Sequence, residues 1–131
     1  LTFRHELRRF LSFSEKAARQ AGIEPRQHQL LLAVRSLRGR EVASISTLAE
    51  MLQLRHHSTV ELVNRLQAKG LVRRQRSEKD RRKVVVCLTP EGESVLRQLS
   101  VAHRAELLVV GRRLVDVLNG LAADGAFGDS A

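Results

Sequence analysis

The chain has 131 residues and a formal net charge of +9, with a pI near 11.3. That length sets the expectation of one domain with a core of its own, and the charge points to an anionic partner, either nucleic acid or an anionic membrane surface. Aromatic residues amount to 3%, all of them Phe, which argues against stacking platforms for single-stranded nucleic acid.

The one cysteine, Cys87, excludes an internal disulfide framework and fits a reducing cytoplasm. No signal-peptide pattern opens the chain, and its first residue, Leu1, suggests numbering that starts inside a longer protein. The longest apolar runs, such as Leu30 to Val34, fall far short of a bilayer span, so no membrane partner is expected.

Residues 1–21 have the pattern of an amphipathic helix. Phe3, Leu7, Phe10, Leu11 and Phe13 fall mostly on one stripe, with Arg4, Arg8, Arg9 and Lys16 on the other side. Ala21-Gly22 ends it, and Pro25 suits the first turn of a second helix. That helix carries Leu30, Leu31, Leu32, Val34 and Leu37 and is expected to stop near Gly39. Apolar nearly all round, it reads as a central, buried element. Glu41 to Ile45 suits a short extended segment.

Ser46 is the expected N-cap of a third helix over Thr47 to Leu52, with Leu48, Met51 and Leu52 as its apolar face. After the tight connection Gln53-Leu54, a fourth helix is expected from His56 to Lys69. Its buried stripe would be Thr59, Leu62, Val63 and Leu66, with Gly70 as its stop. Two short helices joined this tightly make a helix-turn-helix.

The segment that follows is the most charged in the chain. From Leu71 to Lys83 there are seven bases against two acids, a local excess of +5 within the total of +9. Leu71 to Arg76 is read as one strand, Ser77 to Arg82 as the loop and Lys83 to Leu88 as the second strand, the β-branched Val84-Val85-Val86 supporting the last. Cations gathered on a hairpin meet something negative; they cannot build a core. Thr89 then caps a long final helix with Pro90 at its first position. Glu91 and Glu93 fall in its first turn, where carboxylates are favoured. Running to about Leu121, the helix would be about 45 Å long at 1.5 Å per residue. Its apolar far end overruns so small a domain and calls for a partner, most simply a second copy of the chain.

This order of elements resembles the MarR family of winged-helix transcriptional regulators. The resemblance is carried by Leu48-Ala49-Glu50 with Leu52, by Leu62-Val63-Asn64-Arg65-Leu66, by Gly70-Leu71-Val72, and by Asp80-Arg81-Arg82 with Leu88-Thr89-Pro90-Glu91-Gly92. It implies a mainly α fold with a small β-hairpin, a winged helix-turn-helix with terminal dimerisation helices. It also implies a homodimeric repressor with recognition helices in successive major grooves and wings in minor grooves. Release by a small phenolic or other anionic ligand, or by oxidation, is part of the same implication. On this organisation 1–24 and 90–123 are dimerisation helices, 25–89 the DNA-binding lobe and 124–131 a flexible tail.

The groove face of the recognition helix is what its core stripe leaves out: Arg55, His56, His57, Ser58, Val60, Glu61, Asn64 and Arg65. N-terminal residues of such helices meet base edges. His57 and Ser58 can hydrogen-bond there, Val60 can touch a thymine methyl, and Glu61 can read a cytosine amine or orient Arg65. Arg55 departs from the small hydroxyl residue that the family often has at its position. The family's wing pattern falls on Asp80 and Arg82, with the carboxylate holding the loop and the guanidinium for a narrow minor groove. Arg73, Arg74, Arg76, Lys79, Arg81 and Lys83 are expected on phosphates. Phe10, Phe13 and residues of the second helix are candidates to line a pocket for a small aromatic or anionic effector.

Other functions find less support. Adjacent His56 and His57 diverge by about 100° on a helix and chelate poorly, while His57 and Glu61 form a lone pair, so no metal site is expected. Cys87 lies in an apolar strand, which favours inert core packing, and the family's peroxide-sensing cysteine near the N-terminus has no counterpart here. No motif gathers a nucleophile, a base and an acid, so neither an enzyme nor a cofactor is expected. Two rivals stay open: a winged-helix module that binds an acidic protein, and a redox- or metal-responsive switch.

Overall fold

The computed structural model describes residues 2–38 and 42–128. The elements, in chain order, are α1 (Thr2–Gln20), α2 (Pro25–Ser36), α3 (Ile45–Leu52), α4 (His56–Ala68), β1 (Val72–Arg76), β2 (Val84–Leu88) and α5 (Pro90–Gly128). Gly39, expected to stop the second helix, and Glu41, expected to begin the extended segment, lie outside the described residues.

The chain turns where its backbone chemistry directs. Gly22 adopts φ +86°, and Ile23 N–H donates to the Ala18 carbonyl at 3.0 Å, a left-handed helix ending that glycine adopts without Cβ strain. Glu24 is the N-cap of α2 with Pro25 directly after it, and its backbone N–H donates back to Gln27 Oε1 at 3.0 Å. Gly70, at φ +76°, closes α4 in the same way. The αL turn between α3 and α4 is made by Gln53 at φ 54°.

The start of α3 differs from the expectation. The helix begins at Ile45, and its N-cap is Ser44, whose side chain accepts from Thr47 N–H at 3.2 Å. Ser46 lies inside the first turn. The reason is a long-range bond just upstream: Val86 N–H donates to the Ala43 carbonyl at 2.9 Å, tying Ala43 alongside β2 and leaving Ser44 as the last non-helical residue. The sheet itself is the two-stranded β1–β2 pair.

The core is where α2, α3, α4, the hairpin and the start of α5 meet. Leu30, Leu31, Leu48, Val63, Leu66, Val72 and Leu96 are its most buried apolar members. α2 is central as expected, although Leu32 is exposed. In α4 the stripe is Thr59, Val63 and Leu66, with Leu62 half-buried. Thr59 satisfies its buried hydroxyl on the Arg55 carbonyl at 3.0 Å.

α5 continues to Gly128, past the end expected near Leu121, so the segment read as a tail, 124–131, is helical as far as that glycine. At 39 residues the helix is about 58 Å long at 1.5 Å per residue. α1 packs along it. Beyond that contact α5 exposes Val101, Leu108, Val109, Val115, Leu118 and Leu121, each about half open or more. Among the described residues no helix is long and apolar enough to cross a membrane.

Candidate nucleic-acid interface

Helix α4 presents Arg55, His56, His57, Glu61, Asn64 and Arg65 exposed, while Ser58 and Val60 are half-buried. Arg55 is the N-cap, with no side-chain cap bond, so its guanidinium is not spent on the helix end. α4 is anchored at its far end. Lys69 Nζ donates to the Gly22 carbonyl at 2.8 Å and to Gln27 Oε1 at 3.1 Å. Gln27 is buried and belongs to the cap of α2, so the C-terminal end of α4 is fixed to the α1–α2 corner.

In the hairpin the antiparallel register pairs Val72 with Leu88, Arg74 with Val86 and Arg76 with Val84. Alternation follows from this: Val72 and Val86 face the core, whereas Val85 and Cys87 share the other face with Arg73 and Gln75. Cys87 is therefore half-buried, not enclosed in the core as its apolar strand suggested, because Val86 takes the inward position. Cys87 lines a cleft of about 490 Å³ together with Val34, Leu37 and Val42.

The loop over residues 77–83 is internally bonded. Ser77 N–H donates to the Lys83 carbonyl and Lys83 N–H to the Asp80 carbonyl, both at 2.9 Å. Asp80 Oδ1 accepts from Arg82 N–H at 3.1 Å and from Arg82 Nε at 3.3 Å. The Arg82 side chain is nonetheless 92% exposed, so the carboxylate steadies a guanidinium that stands in solvent. Arg76 donates to the Arg81 carbonyl at 2.8 Å, stapling the loop, and Arg73 donates to Gln75 Oε1 at 3.2 Å. Lys79, Arg81 and Lys83 are exposed.

Arg74 points elsewhere. Its guanidinium donates to Asn64 Oδ1 at 2.8 Å and to Gln67 Oε1 at 2.5 Å, bridging β1 to α4. Sequence reasoning gave Arg74 to phosphate and overlooked Gln67. The available signal was period two: Arg74 is two residues from the inward Val72, so it lies on the face that packs toward the helices.

A second cluster lies at the junction of α1, α2 and α5. His103 Nδ1 is 2.7 Å from the Leu99 carbonyl, so that nitrogen carries the proton, and Nε2 is 2.7 Å from Ser14 Oγ. Phe10 and Phe13 meet His103 edge-on at ring centroid distances of 6.0 and 5.5 Å. His28 lies 5.2 Å from it. Burial, and then the charge of His103, lower the His28 pKa from its ordinary 6.5. Beside this cluster Leu11, Ser14, Glu15, Pro25, His28 and Gln29 line a cleft of about 240 Å³. The pocket candidates Phe10 and Phe13 meet instead at His103, a residue the sequence pattern had not singled out, and neither lines this cleft.

Comparison with known proteins gives these features a family likeness. The family model described as MarR family matches residues 21–83, from the α1–α2 corner to the end of the hairpin loop. A protein of Thauera aromatica, described as a putative transcriptional regulatory protein for the hcr operon, is 28% identical over 117 residues, covering 89% of this chain and 69% of its own length. Among solved structures, a point mutant of S. aureus MepR bound to an oligodeoxyribonucleotide superposes with a TM-score of 0.70 at 19% identity, over 98% of this chain and 93% of that one. CouR from Rhodococcus jostii RHA1, bound to p-coumaroyl-CoA, gives a TM-score of 0.66 at 23% identity, over 86% of this chain and 83% of that one. The helix-turn-helix, the charged hairpin and the flanking long helices are the fold of these solved structures, and over residues 21–83 the chain is similar to the MarR family.

Proposed function

We propose that the chain is a homodimeric repressor that binds a pseudo-palindromic DNA duplex in the cytoplasm and is released by a small aromatic or anionic ligand. The observation that carries this reading is the pairing of an exposed, partly basic helix face with the cationic hairpin, which Arg74 joins to that same helix. Arg55, His56, His57, Ser58, Val60, Glu61, Asn64 and Arg65 meet the major groove. Arg82, steadied by Asp80, enters the minor groove. Arg73, Arg76, Lys79, Arg81 and Lys83 contact phosphates, with Arg76 doing so while it staples the loop.

The dimer reading draws on the exposed apolar residues of α5 together with Leu7 and Leu11 of α1. A surface of this kind is costly to leave in water, and two-fold symmetry lets one patch bury its own copy. In this organisation 1–24 and 90–123 hold the dimer and 25–89 form the DNA-binding lobe. The effector reading draws on the cleft between α1 and α2, whose lining residues Ser14 and His28 also touch the His103 cluster. A ligand there acts only if it favours a spacing of the two α4 helices that misfits the operator.

Fluorescence anisotropy with labelled duplexes tests the reading. Six to ten phosphate contacts per dimer predict a loss of affinity of about 10³–10⁵-fold between 50 and 200 mM salt. Selection from a random pool should return an inverted repeat with half-sites about one helical turn apart. Absence of duplex binding at low salt would favour the module that binds an acidic protein instead.

A further inference from the structure

We infer that Arg74 is a positioning residue for base readout: it turns the amides of Asn64 and Gln67 so that α4 offers DNA hydrogen-bond donors, and excludes the bidentate asparagine–adenine pair. The inference rests on the DNA-binding reading above and deepens it. Its basis is the guanidinium bridge, in which one Arg74 nitrogen is 2.8 Å from Asn64 Oδ1 and another is 2.5 Å from Gln67 Oε1.

A guanidinium has donors and no acceptor, so the amide atoms facing it are the oxygens. The bridge spans two elements: Arg74 is in β1 and pairs with the buried Val86, while Asn64 and Gln67 are one turn apart on α4. The planar fork presents two separate nitrogens to the two acceptors in fixed geometry, which the single nitrogen of a lysine ammonium does not reproduce. The hairpin and the recognition helix are therefore held in one relative orientation by a bond that uses the reading side chains themselves.

Recognition changes as a result. An asparagine identifies adenine by accepting from N6–H and donating to N7 with both ends of one amide. With Oδ1 turned to the hairpin, Asn64 has its Nδ2 hydrogens to offer. These suit acceptors: a phosphate oxygen, the N7 that both purines share, or the O6 that guanine alone has, so adenine is not favoured. Arg74 itself is half-buried and committed to this bridge, so it adds little to the phosphate contacts made by the open cations of the loop.

The test compares wild type, R74M, R74K and N64A for base preference, measured by selection from a random duplex pool, and for the slope of log K against log salt. N64A identifies the base positions that Asn64 faces. R74M is expected to shift preference at those positions toward adenine by at least about fivefold, the lower bound for one bidentate contact, with the salt slope unchanged. R74K is expected to behave like R74M, because charge without the planar fork does not restore the bridge. In the DNA-free protein, R74M should move the side-chain amide resonances of Asn64 and Gln67, a readout that needs no operator. A uniform loss of affinity with a slope shallower by about one per lost contact, restored by R74K, would make Arg74 a phosphate contact and overturn the inference. So would an unchanged base preference in R74M. Wild type that binds no duplex would instead remove the DNA-binding reading, whatever the amide resonances do.

Discussion

The carbonyl oxygen of Leu71 lies where a side chain on Gly92 would have to be: a Cβ built on Gly92 would stand 2.1 Å from it. The hairpin's first residues and the first turn of α5 are thus in direct backbone contact. Two further bonds close the junction, from Thr89 N–H to the Leu71 carbonyl at 3.1 Å and from Thr89 Oγ1 to the Gly70 carbonyl at 2.6 Å. Gly70-Leu71 and Thr89-Pro90-Glu91-Gly92 form one joint that sets the hairpin on the long helix α5.

Gly92→Ala should be costly for that reason. The obstructing atom is backbone and cannot rotate away, so α5 or β1 must shift. Destabilisation of about 1–3 kcal/mol is expected, the range for overpacking a tight site, read from the urea midpoint. Gly111→Ala is the control, since nothing lies within 4 Å of its added methyl and alanine favours a helix over glycine; a loss at Gly92 no larger than that at Gly111 would show that the joint is not the cause.

The cap of α3 separates two serines. Ser44→Ala removes the acceptor of Thr47 N–H and should cost about 1 kcal/mol. Ser46→Ala, at an exposed helical position, should stay within about 0.5 kcal/mol of wild type. Chemical denaturation of the two variants decides it; the reverse order would restore Ser46 as the cap.

Acid should loosen the junction of α1, α2 and α5. The folded state holds the His28 pKa below its ordinary 6.5, chiefly by burial and then by the charge of His103. Below 6.5 the unfolded chain binds the proton first, so this stabilisation is present above that pH and is lost as pH falls toward the folded value. The thermal midpoint should therefore drop on acidification through this window, and less steeply in His28→Gln. A pH response identical in wild type and variant would exclude His28 as its source.

Asp80→Ala sets two effects against each other. Deleting a carboxylate makes the hairpin more cationic, which on charge alone strengthens DNA binding. It also removes the acceptor that orders Arg82. For a guanidinium meant for a narrow groove, order outweighs one distant charge, so weaker duplex binding is expected by anisotropy. The unfolding midpoint should hardly change, because an exposed pair contributes less than about 1 kcal/mol. Tighter binding would mean that Asp80 only dilutes the charge.

Much of this molecule was legible as sequence because the signals are local. Gly22, Pro25, Gly70 and the Thr89-Pro90 pair mark element ends through the backbone angles and hydrogen bonds those residue types favour. The β-branched run at Val84 to Leu88 and the i, i+4, i+7 stripe of Thr59, Val63 and Leu66 located the hairpin and the recognition helix. The +5 excess between Leu71 and Lys83 marked the hairpin as a surface element, since charge that cannot be buried must lie on a surface.

The tertiary structure alone decided what depends on contacts between distant residues. Ser44 became the cap because Ala43 is bound to Val86. Cys87 stayed half-buried because register gave the inward position to Val86. His103 met Ser14, 89 residues away in sequence, only because α1 packs along α5. Arg74 reaches Asn64 and Gln67 because β1 lies against α4. Local sequence determines which conformation a segment prefers and at most which face a side chain takes; which groups it reaches is set by how the elements pack.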